Sequence, residues 1–355
     1  MTKTLINDVI KIGNHKIGSN YPTFIIAEIG VNHNGQLSIA KELIKKAKFS
    51  GADCVKFQTF KAERIATKET PKASYQLDST DPNESQLDML RSLELPKSYY
   101  TEIIKCCEDN DITFLSTPYS EEDVDFLDDL NVKAYKLASI SSAEPDFAKY
   151  VANKQKPLIL STGMSNMDEL RETLKEIKST ENSDIVLLQC TTNYPSRHED
   201  SNLLCIKSLR NEFEYQVGYS DHTTDDIACI MSIAMGATVI EKHLTLDRNL
   251  QGPDHSSSYE PNLFKQLVNN IRNAEKSMGS GIKEPSTIEI QNSKQMRRSI
   301  VAKTHINAGI KIDKSMLALK RPANGISPLL MSKVLKKTSR VNIKKDQVIN
   351  WIDLK

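Results

Sequence analysis

Short apolar runs alternate along this chain with longer stretches whose apolar residues recur at three- and four-residue spacing. The first segment, residues 10–18 (IKIGNHKIG), alternates and turns at Asn14-His15, which predicts a small β-hairpin. Eight runs follow Pro22: residues 23–28 (TFIIAE), 53–58 (DCVKFQ), 112–117 (ITFLST), 133–139 (KAYKLAS), 157–162 (PLILST), 184–190 (DIVLLQC), 215–220 (YQVGYS) and 238–243 (TVIEKH). Between them lie amphipathic helical patterns such as residues 37–50 and 167–180. Eight β-α units in about 260 residues predict an α/β fold, a (β/α)8 TIM barrel. A doubly wound sheet would need fewer strands or a glycine-rich phosphate loop, and no GxGxxG follows residues 23–28. The second strand-to-helix connection, residues 59–95, is long and polar, as lids over barrel mouths often are. At residues 278–286 (MGSGIKEPS) glycine and proline cluster and polar residues follow. The expected division is a barrel with its N-terminal hairpin over residues 1–280, a linker over 281–296 and a small, mostly β domain over 297–355. A domain of about 60 residues is marginal alone and calls for contact with a partner.

Composition narrows the function class. With 39% hydrophobic residues the chain can bury a sizeable core, and a formal net charge of +1 argues against a nucleic-acid coat or a general membrane-surface binder. No apolar run approaches the roughly 18 residues needed to cross a bilayer. The N-terminus carries Lys3, Asp8 and Lys11 without an apolar stretch, unlike a signal peptide. The six cysteines (Cys54, Cys106, Cys107, Cys190, Cys205, Cys229) form no CxxC pair, which reads as a cytoplasmic protein with reduced, mostly buried thiols. Vicinal Cys106 and Cys107 suit packing better than a soft metal.

Barrel active sites lie at the C-terminal ends of the strands, and here those ends are polar. They carry Glu28, Lys56, Gln58, Thr117, Lys136, Ser139, Ser161, Tyr194, Ser220, Asp221, His222, Glu241, Lys242, His243 and, just beyond, Asp254. Lysines and hydroxyls are the groups that hold a phosphate and a carboxylate. Lone hydroxyls also satisfy loop backbone, and lysine stems also snorkel to the surface, but Lys56 and Lys136 sit inside apolar strand sequence, which favours an inward role. His222 and His243 end adjacent strands, so their rings could converge on one divalent metal. His33 is a third candidate, equally suited to bracing its loop. Glu28 and Asp254 are two carboxylates at the same mouth, suited to acid/base work or to ion pairs with Lys56 or Lys242.

The segments FIIAEIGVNHNG (24–35), GADCVKFQTF (51–60), LSTP (115–118), ILSTGM (159–164), GYSDHT (218–223), IEKHLTLD (240–247), GPDH (252–255) and KRPANGISP (320–328) together resemble the bacterial sialic acid synthases, in order and over nearly the whole chain. The stretch from Lys72 to Leu95 looks more like the N-acetylneuraminate and legionaminate branches than the pseudaminate branch. The resemblance implies a barrel joined to a small antifreeze-like (SAF) domain in a domain-swapped homodimer. It implies condensation of phosphoenolpyruvate with an N-acylated hexosamine, N-acetylmannosamine or a close relative, and water to a nine-carbon 2-keto acid and phosphate. It also implies a divalent ion, Mn2+ first and Mg2+ or Co2+ as others. Carried over residue by residue, His222 and His243 match the metal ligands. Lys56, Thr117, Lys136, Ser139, Ser161 and Ser220 match the phosphoenolpyruvate site. Glu28 and Asp254 match the acid/base carboxylates, Gln58 at the end of the second strand is counted with the substrate-binding residues, and Tyr194 matches an active-site tyrosine. Arg321 matches an arginine that the antifreeze-like domain inserts into the neighbouring subunit's site.

One departure concerns the sugar. Many N-acetylneuraminate-forming members of that family carry SGE where this chain has Ser139-Ile140-Ser141. A missing acidic acceptor suits a less hydroxylated sugar, 2,4-diacetamido-2,4,6-trideoxymannose, and hence a legionaminate synthase as the alternative. A metal-free Schiff-base aldolase on Lys136 or Lys242 is a rival of another class, as is a non-catalytic carbohydrate-binding protein.

Overall fold

The computed structural model describes residues 5–81 and 83–355, which form two compact units, Met1–Gly279 and Ser280–Lys355. In the first unit, β1 (Ile10–Ile12) and β2 (His15–Ile17) make an antiparallel hairpin with Ile10 opposite Ile17. It turns at Gly13-Asn14, one residue earlier than expected, because Gly13 takes the positive φ of 58° that a tight turn needs. Eight parallel strands follow: β3 (Phe24–Gly30), β4 (Cys54–Thr59), β5 (Thr113–Pro118), β6 (Tyr135–Leu137), β7 (Leu158–Ser161), β8 (Ile185–Cys190), β9 (Gln216–Asp221) and β10 (Val239–His243). They are ordered β5-β4-β3-β10-β9-β8-β7-β6, and β5 and β6 adjoin across the remaining seam, so the sheet is a nearly closed TIM barrel.

Helices pack against the outside of the barrel by the spacing that predicts them. In Met167–Lys178, Leu170, Leu174 and Ile177 are buried on one face, and Asn166 and Glu169 form a capping box at its start. Inside the barrel the strand period of two decides the layers. Ile26, Ile159, Val186 and Val239 pack with hairpin residues Ile10 and Ile12 in a closed apolar plug. Two residues further along the same faces come Glu28, Ser161 and Glu241, while Leu188 still belongs to the plug. The polar layer therefore stands directly on the plug, at the C-terminal end. The long connection after β4 folds into short helices, Ala62–Ile65, Ser74–Ser79 and Gln86–Leu93.

In the second unit, β11 (Ser299–Ala302) and β12 (Leu317–Lys320) pair antiparallel around a core that includes Ile300, Ile312, Ile326, Val334 and Ile349. The stretch expected as a linker differs from that expectation: it carries a helix, Thr287–Met296, capped by Ser286 and Glu289. None of its residues is buried, so no apolar period announces it. No helix among the described residues is long and apolar enough to cross a membrane.

Candidate active site

Four charged side chains meet in the layer above the plug. Lys56 Nζ lies 3.1 Å from Glu28 Oε1 and 3.5 Å from Glu241 Oε1, and Lys136 Nζ lies 3.5 Å from that same Glu241 oxygen. The hydroxyls expected there are in place: Lys56 donates to Thr117 Oγ1 at 3.3 Å, Lys136 to Ser161 Oγ at 2.8 Å, and Ser220 Oγ to Glu241 Oε1 at 3.1 Å. Gln58 Nε2 donates to Glu28 Oε1 at 3.1 Å. Gly30 keeps this corner open, since a Cβ there would stand 3.1 Å from Glu28 Oε1 and 3.2 Å from Gln58 Nε2.

The cluster's charge state follows from burial and pairing. Burial pushes the Glu28 carboxyl up to about 7, against the opposing pull of Lys56. Burial also acts to raise Glu241, but Lys136 and Lys56 together hold it down to about 2. For Lys56 the attraction of Glu241 and Glu28 outweighs burial and raises its pKa; for Lys136 burial wins and lowers it. Glu28 Oε2 and Glu241 Oε2 are buried without a hydrogen-bond partner. Buried acceptors left unpaired are costly, so these two oxygens are open to a donor such as a water or a hydroxyl.

Glu241 received no role from the sequence, although the signal was there: it stands two residues before His243, hence on the same face of its strand. Lys242, between them, faces the other way. Its ammonium donates to Asp221 Oδ2 at 2.5 Å and to the carbonyls of Thr223 and Asp225, outside the barrel wall. This removes the expected Lys242–Glu28 and Lys242–Asp254 pairs and the Lys242 imine, because that nitrogen is saturated and aimed away from the mouth.

At the rim, β9 and β10 pair Asp221 with Lys242, so His222 and His243 follow side by side with ring centroids 5.3 Å apart. His222 Nδ1 bonds the Thr191 carbonyl at 2.7 Å, which protonates that nitrogen and leaves Nε2 its lone pair. His243 Nδ1 is buried with no hydrogen bond, and Asp254 Oδ2 lies 3.7 Å from it. Burial lifts the Asp254 carboxyl to about 6. Tyr194 stacks on His222 at 4.1 Å and meets His243 edge-on at 5.5 Å. Tyr75, on the short helix Ser74–Ser79 after β4, lies 5.1 Å from Tyr194; six residues are too few to show a helical period, so nothing in the sequence marks it.

Ser139 Oγ accepts from the Gly163 backbone N–H at 3.1 Å and hydrogen-bonds the Cys190 side chain, which in turn bonds His222, so Ser139 adjoins the rim. The other expected residues lie apart from this cluster. His33 Nδ1 accepts from Gly35 N at 3.0 Å and its ring stacks on Phe57, so it braces its loop. Arg321 is exposed in the second unit, just past β12. Cys106 and Cys107 lie on the helix Tyr100–Asp109, with Cys107 packed in the core. A recess of about 430 Å³ opens at the opposite end of the barrel beside Gly13 and Thr113 and reaches Cys107, away from the charged layer and the rim.

Residues 43–283 match the NeuB family and residues 297–355 match the SAF domain. The chain is 44% identical over 329 residues to the N,N'-diacetyllegionaminic acid synthase of Campylobacter jejuni, covering 92% of this chain and 98% of that one. It is 41% identical over 338 residues to the N,N'-diacetyllegionaminic acid synthase of Legionella pneumophila, covering 94% and 95%. Among solved structures, the N-acetylneuraminic acid (sialic acid) synthetase of Leptospira borgpetersenii superposes with a TM-score of 0.72 at 31% identity, over 80% of this chain and 94% of that one. With both units matched and relatives aligned end to end, the chain belongs to the NeuB family of nonulosonic acid synthases and ends in a SAF domain.

Proposed function

We propose that this enzyme condenses phosphoenolpyruvate with 2,4-diacetamido-2,4,6-trideoxymannose and water, giving N,N'-diacetyllegionaminate and phosphate. The observation that carries the condensation is the buried pair Lys56 and Lys136, bridged by Glu241 and backed by Thr117, Ser161 and Ser220. Two ammonium groups face one firmly ionised carboxylate, so the layer keeps positive charge to receive the carboxylate and phosphate of phosphoenolpyruvate. The choice of sugar rests on the two legionaminic acid synthases at 44% and 41% identity, which favour it over N-acetylmannosamine.

The rim residues fit a divalent ion. His222 and His243 bring their rings within 5.3 Å, His243 has a buried nitrogen without a partner, and Asp254 sets a carboxylate beside it. Among the described residues no group of three or more histidine, cysteine, aspartate or glutamate side chains is placed to hold a metal ion, so this reading rests on the two histidines. Such an ion, Mn2+ by preference, supplies Lewis acidity toward the acceptor aldehyde. The chain's own groups do the rest. Lys56, Lys136 and their hydroxyls hold phosphoenolpyruvate so that its C3 faces the aldehyde carbon, to which the new bond forms. Glu28, poised by burial, takes a proton from the water that adds at C2, while the aldehyde oxygen gains a proton to become the new hydroxyl; the C2–O bond to phosphate then breaks as the C2 hydroxyl becomes the ketone, its proton leaving with the phosphate. Asp254 orients the acceptor's hydroxyls. A substrate drawn from central metabolism places the enzyme in the cytoplasm.

The test is phosphate release from phosphoenolpyruvate with Mn2+ and each sugar in turn. Turnover that requires both the ion and the diacetamido sugar supports the reading. Turnover that survives a chelator, with borohydride trapping a pyruvate adduct on Lys136, would replace it with an imine mechanism.

A further inference from the structure

The long connection after β4 is held in two different ways. Its base is anchored by apolar packing: Phe60, Met89 and Leu93 lie in one buried cluster, and Ala62, Ala66 and Leu87 lie in another. Arg64 Nη1 also ties the base to the barrel flank, 3.1 Å from Asp123 Oδ1. The tip, residues 67–84, lacks that anchor. No described apolar residue between Ala66 and Leu87 is buried, and Leu77 is 46% exposed. One charged side chain of the tip is buried all the same, that of Lys72, at 2% exposure. Its ammonium donates to Thr80 Oγ1 at 2.9 Å, to the Asp81 carbonyl at 2.6 Å and to Glu84 Oε1 at 2.8 Å. A lysine ammonium has three donors, and here each has an acceptor.

A buried ammonium with every proton bonded organises the tip as apolar packing organises the base. The helix Ser74–Ser79 has six residues, too few to hold in water by itself. Thr80 Oγ1 accepts from Lys72 and donates to the Gln76 carbonyl at 2.6 Å, so the ammonium closes the far end of that helix. At the near end, Gln76 Oε1 accepts from the Ala73 backbone N–H at 2.9 Å. Glu84 joins the tip to the base, one residue before Ser85, whose side chain caps the helix Gln86–Leu93. The short helix carries Tyr75, 5.1 Å from Tyr194, which stacks in turn on His222 at 4.1 Å. We infer that Lys72 is a positioning residue: its buried ammonium latches the tip of the connection and thereby fixes Tyr75 against the Tyr194–His222 stack. The latch acts on the outer part of the mouth, and the layer of Lys56 and Lys136 beneath does not depend on it. The inference rests on the condensation proposed above.

The experiment compares Lys72→Met, Tyr75→Ala and the double variant with the native full-length enzyme, in phosphate release with Mn2+ and in hydrogen exchange. Lys72→Met should raise KM for 2,4-diacetamido-2,4,6-trideoxymannose about 10-fold and leave KM for phosphoenolpyruvate within about twofold, because only the outer groups lose their placement. Tyr75→Ala should show the same split. Adding Lys72→Met to it should change nothing further, since two residues that act through one contact are not additive. Amides of residues 67–84 should exchange about 10-fold faster in Lys72→Met while those of the barrel strands keep their native rates. An unchanged KM for the sugar, an equal rise in KM for phosphoenolpyruvate, or single losses that multiply in the double variant overturns the positioning role and leaves the condensation standing. Native exchange in the tip, or faster exchange throughout the barrel, overturns the latch by a measurement that needs no turnover. No phosphate release by the native enzyme with this sugar or with N-acetylmannosamine overturns the condensation and the positioning role together.

Discussion

Glu28 is held between two demands. Its pKa of about 7 reflects a carboxylate deprived of water, and one of its oxygens has no partner at all. A base in that state is effective near neutrality, because it is half ionised yet still basic enough to take a proton. The pH profile of kcat/KM for phosphoenolpyruvate should therefore rise through an inflection near 7. Glu28→Gln should remove that inflection and lower turnover about 10²–10⁴-fold with phosphoenolpyruvate still bound; near-native turnover would refute the role. The stability consequence has the opposite sign. The folded pKa lies above the unfolded value of 4.5, so the native state binds the extra proton and loses stability as pH rises from 4.5 through 7. Glu28→Gln should match the native protein in thermal unfolding at pH 4.5 and exceed it at pH 8, by about 3 kcal/mol at most. Activity and stability moving apart at one residue would mark a group kept for chemistry.

Strands β9 and β10 show how elements deliver the site. Asp221 and Lys242 pair in register on the outer face, and the next residue of each strand is a histidine on the inner face. Asp221 also accepts from Tyr219 Oη at 3.1 Å and from Thr223 N at 2.9 Å, so the ion pair is anchored on several sides. Lys242→Met leaves that carboxylate buried without its charge partner, which should cost about 3–5 kcal/mol in urea unfolding. The double change Asp221→Asn with Lys242→Met should recover most of the loss; a Lys242→Met protein as stable as the native one would show that the pair is not needed. This pair also marks the limit of what the chain alone discloses. All eight barrel strands were legible within two residues, and Lys56 and Lys136 were legible as inward, because a lysine within an apolar run has few other places to go. Lys242 looked the same and faces the opposite way. Parallel strands are apolar on both faces, so the run itself does not reveal parity; only counting in twos from His243 separates Glu241 from Lys242. The helix Thr287–Met296 was illegible for the converse reason, since nothing on it is buried, and Tyr75 because its helix, Ser74–Ser79, is too short to show a period.

At the scale of the whole molecule, the question is what the SAF unit adds to a barrel that already holds two lysines, two histidines and three carboxylates. Arg321 is the residue through which the two could be linked. It is exposed in its own unit, and the resemblance to sialic acid synthases gives it a role in a second subunit's site. If each site takes its barrel groups from one subunit and Arg321 from the other, then defects in the two can complement. Glu28→Gln and Arg321→Ala subunits should each be nearly inactive alone. Unfolded together and refolded as a mixture, half of the dimers should be mixed, and each mixed dimer should carry one site with both native residues, giving about a quarter of native activity. Arg321 acting on its own subunit's barrel gives no such recovery, because every site then lacks one of the two groups. Sedimentation of the same mixture supplies the control: a monomer removes the basis for exchange, and a dimer without recovery places Arg321 in cis.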